Sequence, residues 1–116
     1  VPCGAKEHYH FSLDVGAGLS RAAIDPFSGY GVFNLLGKTH PIEDFIRTIE
    51  TESKNFDIIE PKIGFAENAE PSPFIFDLND EETRKAFPLM PRTSLSDGVT
   101  QSLAYFLGSE REKFGK

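Results

Sequence analysis

The sequence predicts a mixed α and β fold, of the α/β or α+β class, with a small mixed sheet and three to four helices. Two observations lead to this prediction. Short apolar runs typical of strands alternate with stretches in which apolar residues recur at helical spacing. Glycine and proline residues punctuate the boundaries between them. A chain of 116 residues, 39% of them hydrophobic, is expected to form one domain with a modest core.

The first third of the chain predicts strand, helix and strand. Residues 8–13 contain Tyr, Phe and Leu and predict a strand. Asp14 is suited to cap a helix, because its carboxylate can accept the free N–H groups of a first turn. Pro26 ends that helix, and the glycine-bounded apolar run over residues 32–36 predicts a buried strand. The apolar face of the helix is predicted to be Val15, Leu19, Ala22 and Ala23.

The middle of the chain contains the clearest helical pattern. Its apolar residues follow i, i+3, i+4, i+7 spacing and would form one helix face: Ile42, Phe45, Ile46 and Ile49. Pro41 is suited to the first helical position, and two acidic residues follow in the first turn, where the helix dipole favours negative charge. Residues 57–65, interrupted by Pro61, predict an extended segment at a sheet edge or beside one, and residues 74–76 predict a short strand.

Two further helices are predicted near the C-terminus. Asn79 and Glu82 fit a capping box, which opens a short helix that runs to Phe87. The last helix is predicted to begin near Ser94 and to end at Gly108, a common helix terminator. Its apolar face would be Leu95, Val99, Leu103 and Phe106. We therefore predict a single domain over residues 1–108, followed by a charged tail over residues 109–116.

Net charge and the absence of long apolar runs limit the predicted partners, and the cysteine content bears on the compartment. A net charge of −6 argues against nucleic acid and anionic membranes, which select basic surfaces. No stretch of the sequence approaches the roughly 18 apolar residues of a membrane span, so no membrane partner is predicted. The single cysteine, Cys3, has no second cysteine with which to form an internal disulfide. This fits a reducing compartment and predicts a cytoplasmic protein.

Several segments carry a family resemblance through their order and spacing. Residues 11–23 run from a predicted strand into a helix opened by Asp-Val, and residues 31–35 are an apolar run that contains an Asn. Residues 41–45 open a helix with an acidic first turn, and residues 91–98 read Pro-x-Thr-Ser-Leu-x-x-Gly. Together they resemble the C-terminal substrate-binding region of the extended short-chain dehydrogenase/reductases, the NAD(P)-dependent epimerases and dehydratases.

The resemblance implies a chain that is the substrate-binding portion of an oxidoreductase. Its partners would be a small-molecule substrate, with sugar-like compounds among the candidates, and the dinucleotide-binding half of the same protein. The family holds NAD(P) on a G-x-x-G-x-x-G turn and moves a proton with a Tyr-x-x-x-Lys pair, and this sequence contains neither pattern. We therefore expect no catalytic residue and no bound cofactor in this chain alone, which should be inactive in isolation. Its uncovered apolar surface predicts self-association or marginal stability.

Four residues are predicted to line the substrate cleft. Ser12 and Asp14 lie at a strand-to-helix junction, where α/β folds tend to bind ligands, although Asp14 could instead be a simple N-cap. His40 precedes a helix start. Arg92 follows a proline in a stiff loop, where it could bind an anionic substrate group or pair with an acidic neighbour.

The sequence is also compatible with two other functions, and three of its residues are of types that bind metals. A stand-alone, non-catalytic binding or interaction module is the main alternative. Residues 11–18 also resemble the first motif of S-adenosylmethionine-dependent methyltransferases, an acidic residue and Gly-x-Gly before a helix; otherwise these glycines let a helix pack closely on its neighbour. Cys3, His8 and His10 could supply metal ligands, but no carboxylate or second His pair has matching spacing, so no metal site is predicted.

Overall fold

The computed structural model describes residues 6–35, 38–57, 61–70 and 79–113. Strands β1 (Lys6–Tyr9) and β2 (Lys38–Pro41) pair antiparallel, with Tyr9 opposite Lys38. The described part of the chain also contains helices α1 (Ser12–Ile24), α2 (Ile42–Ser53), α3 (Glu81–Ala86) and α4 (Leu95–Lys113). This is a small, mixed and helix-dominated domain, which is compatible with either predicted class. Residues 1–5, 36, 37 and the predicted strand at 74–76 lie outside the described residues.

Helix α2 forms as its sequence pattern predicts. The four predicted apolar residues are all partly buried, and the helix packs against β2 and α4. Pro41 takes the N-cap position instead of the first helical position, since its extended backbone (ψ 148°) still belongs to β2. A 3₁₀ turn over Lys54–Phe56 continues the helix, and Asp57 leaves it in the left-handed region, with φ 56°. The extended segment predicted from residue 57 is therefore wrong at Asp57, and residues 61–65 are irregular.

The first strand and the first helix begin earlier than predicted. β1 ends at Tyr9 and α1 begins at Ser12, so residues 12 and 13 are helical and the predicted strand over 8–13 is wrong there. Phe11 occupies the N-cap position, and Asp14 lies at the third helical position. Asp14 is therefore not the N-cap, because its carboxylate is bound to Thr93 instead.

The face that α1 turns toward the protein also differs from the prediction. Gly18 is buried, whereas Leu19 is exposed. A Cβ atom at Gly18 would lie 3.0 Å from Leu35 Cδ1 and 3.4 Å from Met90 Sδ, so the absence of a side chain allows this close packing. Hydrophobic periodicity pointed to the wrong face because the inward positions include a glycine and an aspartate.

Residues 31–35 form an irregular segment instead of the predicted buried strand. Val32 is 81% exposed. The Asn34 amide donates to the Asn79 carbonyl at 2.9 Å, and the Asn34 carbonyl accepts from the Thr83 hydroxyl at 2.6 Å. Three phenylalanine rings pack beside these bonds, with centroid separations of 5.2 to 5.9 Å: Phe27, Phe33 and Phe87. Side-chain contacts with α3 and its flanks thus replace the ladder that the apolar run suggested.

Both C-terminal helices form where the sequence predicts them, but their boundaries differ from the prediction. Asp80 takes the N-cap position of α3, while the Asn79 side chain accepts from the Glu81 N–H at 2.7 Å. The Ser94 hydroxyl accepts from the Asp97 N–H at 3.1 Å just before α4, as its predicted start requires. The stop predicted at Gly108 is wrong, since α4 continues to Lys113. A glycine inside a helix costs about 1 kcal/mol, which the good helix formers after it can offset.

Much apolar surface remains open to solvent. Among the described residues, Phe87 and Val99 are the buried hydrophobic side chains, whereas ten large hydrophobic side chains are exposed. The radius of gyration is 17.3 Å, compared with about 13 Å for a compact domain of similar length. None of the helices in the described ranges has both the length and the apolarity to cross a membrane.

Candidate functional site

A cavity of about 600 Å³ opens between the β1–β2 pair, the start of α1, helix α2 and helix α4. Its volume falls within the range of small-molecule sites, roughly 300 to 1,000 Å³. One wall is the predicted apolar face of α4, and all four of its members line the cavity: Leu95, Val99, Leu103 and Phe106. Val99 is buried and Phe106 is 65% exposed, so this wall runs from the interior to the rim.

An aromatic group from the strands and α2 forms a second wall. The Tyr9 ring stacks on Phe45, with centroids 4.5 Å apart and planes 10° from parallel. The His40 ring lies 6.3 Å from Tyr9 and is tilted by 46°. These three side chains line the cavity, so a ligand there would meet flat apolar surface together with the His40 imidazole.

The start of α4 approaches α1 closely at the back of the cavity. A Cβ atom at Gly98 would lie 3.4 Å from the Phe11 ring, so a larger residue there would press on that ring. Next to this contact, Asp14 Oδ2 accepts from the Thr93 N–H at 2.5 Å and Asp14 Oδ1 accepts from the Thr93 hydroxyl at 2.7 Å. Both carboxylate oxygens are therefore used to hold the segment before α4 against α1.

Arg92 lines the cavity, and its side chain is bound by Asp80. Its guanidinium forms an ion pair with Asp80, which also pairs with Arg84 at 3.0 Å. Burial acts to raise the pKa of Asp80, but the hydrogen bond and positive charge of Arg92, helped by Arg84, hold the pKa below its usual range. Pairing with an acidic neighbour, one of the two roles expected for Arg92, is thus observed.

Lys38 is a cavity residue that the sequence prediction missed. It begins β2, a strand that was not predicted from the sequence. Lys38 and His40 are two residues apart on a strand and so point to the same face, and both line the cavity. Within the described part of the chain, the Lys38 ammonium group forms no ion pair. The alternation Lys-x-His before a helix was the available signal.

Three of the four predicted site residues meet at this cavity. Asp14, His40 and Arg92 line it, although they come from α1, β2 and the segment before α4. Ser12 is exposed at the start of α1 and does not line the cavity. The fold thus brings three predicted site residues, which are far apart in the sequence, to one cavity.

A hydrogen-bonded cluster fixes the two helices that frame the cavity. Glu52 of α2 accepts from the hydroxyls of Ser96 at 2.6 Å and Thr100 at 2.8 Å, both on α4. The Asn55 amide adds a third bond at 3.1 Å. The bonds from Ser96, then Thr100, lower the pKa of Glu52 against a smaller opposing effect of burial. The ionised carboxylate therefore ties α4 to α2.

The described residues offer little support for the methyltransferase and metal alternatives. Gly16 and Gly18 lie inside α1, and not in a loop before it, so their backbone is not presented to a cofactor as that motif requires. In the described ranges, no three His, Cys, Asp or Glu side chains gather in a group that could hold a metal ion. Cys3 lies outside those ranges.

Comparison with known proteins leaves the cavity as the main guide to function. The sequence matches no family model, no curated protein and no solved structure. The contacts and charges of the cavity, together with the sequence resemblance, therefore carry the evidence on function.

Proposed function

We propose that this chain is the substrate-binding portion of an NAD(P)-dependent epimerase/dehydratase-like oxidoreductase in the cytoplasm. The observation that carries the proposal is the meeting of Asp14, His40 and Arg92 at one cavity of about 600 Å³. The sequence resemblance had selected the C-terminal lobe of such enzymes, and these residues were predicted to line its cleft. In the proposal, the cavity receives the substrate, while a dinucleotide-binding half of the same protein holds the cofactor.

The solvent-exposed apolar surface supports a missing second half. Along α1, three large side chains are more than half exposed: Leu13 at 66%, Leu19 at 64% and Ile24 at 74%. Exposed apolar side chains offer area that another protein body can cover. A dinucleotide-binding half packed on α1 would bury these side chains and add the core that the described residues lack.

The residues of this chain would bind and orient, and would not transfer hydride. NAD(P), when bound to the other half, supplies the hydride chemistry. The Tyr9–Phe45 stack and the α4 wall would exclude water from one side of the substrate. The two bonds from Thr93 to Asp14 would keep Arg92 and Ser94 at the rim. No Tyr-x-x-x-Lys pair occurs in the sequence, so the proton step is assigned to the other half.

A stand-alone binding module is the second candidate. It is favoured by one observation, which is that residues of this chain alone enclose a cavity of small-molecule size. In this case the exposed face of α1 would contact a different protein or a second copy of the chain.

Cofactor binding tests the proposed function and separates the two candidates. We would express the complete reading frame that contains these 116 residues and titrate the product with NAD⁺ and NADP⁺ by calorimetry. The proposal predicts saturable binding of at least one of them by the complete product. It predicts neither binding nor turnover by the 116-residue chain alone. A complete product that binds neither dinucleotide would contradict the oxidoreductase and leave the binding module.

A further inference from the structure

The charged side chains of the cavity are not equally available to a ligand. Arg92 is paired with Asp80, and both carboxylate oxygens of Asp14 accept hydrogen bonds from Thr93. Lys38 also lines the cavity, and its ammonium group forms no ion pair in the described part of the chain. Lys38 is thus the cavity cation that no ion pair in the described residues compensates, whereas the oxygens of the Asp14 carboxylate, which keeps its negative charge, are occupied by Thr93.

The apolar walls lie next to this positive charge. Lys38 stands directly opposite Tyr9 in the antiparallel ladder, so the two side chains share one face of the strand pair. Tyr9 stacks on Phe45, and across the cavity lies the apolar face of α4. A ligand whose negative group meets Lys38 would therefore place its remaining atoms against aromatic and aliphatic surface.

From this arrangement we infer that the cavity binds a small molecule with one anionic group on an apolar or aromatic body. The inference rests on the proposed function only in taking the cavity as the substrate site. The anionic group is a carboxylate, a sulfonate or a phosphate monoester, each of which can accept from an ammonium group. A nucleoside diphosphate fits less well, because its several negative charges would meet one unpaired cation, Lys38, and the Asp14 carboxylate lines the same cavity.

Two fluorescent probes with the same ring system test the ligand class. The first is 8-anilinonaphthalene-1-sulfonate, which carries one negative charge, and the second is the neutral N-phenyl-1-naphthylamine. We expect the sulfonate to bind the chain about two- to fivefold more tightly than the neutral probe, the range of a solvent-exposed ion pair. 1-Naphthoate and 1-naphthyl phosphate, added as competitors, distinguish a carboxylate from a phosphate monoester. Uridine diphosphate should displace the sulfonate probe weakly.

Three variants locate the probe and its charge. Lys38→Gln should remove the preference for the sulfonate and leave the affinity for the neutral probe unchanged. Lys62→Gln is the matched control, because Lys62 is exposed and does not line this cavity. Phe106→Ser should weaken the binding of both probes by a similar factor. Because Phe106 is 65% exposed, the change should leave the fold intact.

The outcomes separate the ligand class from the proposed function. Equal affinities for the two probes in the unaltered chain, both lowered by Phe106→Ser, would overturn the anionic ligand and leave the cavity as the substrate site. If neither Phe106→Ser nor Lys38→Gln changes probe binding, the probes bind elsewhere on the chain. That result would overturn both the anionic ligand and the assignment of this cavity as the substrate site. A sulfonate preference that Lys38→Gln abolishes and Lys62→Gln retains is the expected result.

Discussion

Asp14 and Thr93 are joined by two hydrogen bonds across 79 positions of sequence. One carboxylate oxygen of Asp14 accepts from the Thr93 N–H at 2.5 Å, and the other accepts from its hydroxyl at 2.7 Å. The bonds connect the first turn of α1 to the segment that leads into α4. They therefore hold the start of α1 against the segment before α4, beside the cavity.

Removal of this carboxylate should destabilise the fold. Asp14→Ala leaves the Thr93 N–H and hydroxyl without their acceptor, and hydrogen bonds to charged groups contribute about 1.5 to 3 kcal/mol each. Because Asp14 is only partly buried, we expect the free energy of unfolding to fall by about 2 kcal/mol in urea titrations.

Asp44→Ala is the matched control for this substitution. Asp44 is also the third residue of its helix, so both variants lose the same favourable interaction with a helix N-terminus. Its carboxylate pairs with the exposed Arg47 at 3.3 Å, which is worth less than about 1 kcal/mol. Equal losses of stability in the two variants would contradict the role assigned to the Asp14–Thr93 bonds.

Two glycines of α1 should respond differently to the same substitution. Gly16→Ala places its Cβ where no atom lies within 4 Å, so it should raise the free energy of unfolding by about 0.5 to 1 kcal/mol through helix propensity. Gly18→Ala makes the same propensity gain but brings its Cβ to 3.0 Å from Leu35, which should cancel the gain or reverse it. Thermal unfolding of both variants measures the difference. Equal stabilisation would show that α1 does not pack closely on Leu35.

The hydrogen bonds around Glu52 should make the free energy of unfolding depend on pH. Hydrogen bonds from Ser96 and Thr100 hold the pKa of Glu52 below its ordinary value of 4.5 in the folded chain. A lowered folded-state pKa means that the unfolded chain binds the proton more readily. The contribution of Glu52 is therefore complete well above pH 4.5 and is lost as the pH falls through the lower, folded-state pKa.

Urea titrations between neutral pH and pH 3 test this contribution. Glu52→Gln should reduce the loss of stability that occurs on acidification, because the substituted side chain does not titrate. Glu43→Gln, on the exposed side of the same helix, should retain the acid-dependent loss. An identical pH dependence in the Glu52→Gln variant and the unaltered chain would exclude the cluster as its source.

Thr83 should be sensitive to loss of its hydroxyl group. Its side chain is 3% exposed and donates to the Asn34 carbonyl at 2.6 Å. Thr83→Val keeps the shape and removes the donor, so the free energy of unfolding should fall by about 1 kcal/mol. Thr51→Val, at an exposed position of α2, should change it by less than about 0.5 kcal/mol. A Thr83→Val variant as stable as the control would mean that the segment over residues 31–35 is held by its aromatic contacts alone.

Local pattern explains which elements were predictable from the sequence. Helix α2 and the start of α4 were found because apolar spacing and capping residues are encoded within a few positions. The inward face of α1 was missed because its buried position is Gly18, which carries no hydrophobic signal. Residues 31–35 were misread as a strand because Asn79 and Thr83, more than 40 positions away, satisfy the backbone and side chain of Asn34.

The candidate site was predictable to a similar extent. Asp14, His40 and Arg92 were selected because polar side chains beside helix starts are common ligand groups. Lys38 was missed because its place in β2 depends on pairing with β1, which is distant in the sequence. The pairing of Arg92 with Asp80 was foreseen only as one of two roles, since their proximity arises from the packing of α3 beside the segment before α4.

The transcript that encodes this chain tests the central claim most directly. We would sequence the complete reading frame that contains residues 1–116 and examine what it encodes before Val1. The account predicts an in-frame dinucleotide-binding half with a G-x-x-G-x-x-G turn and a Tyr-x-x-x-Lys pair. A start codon directly before Val1, with no such half on either side of the chain, would contradict the substrate-binding portion of an oxidoreductase and favour a stand-alone binding module.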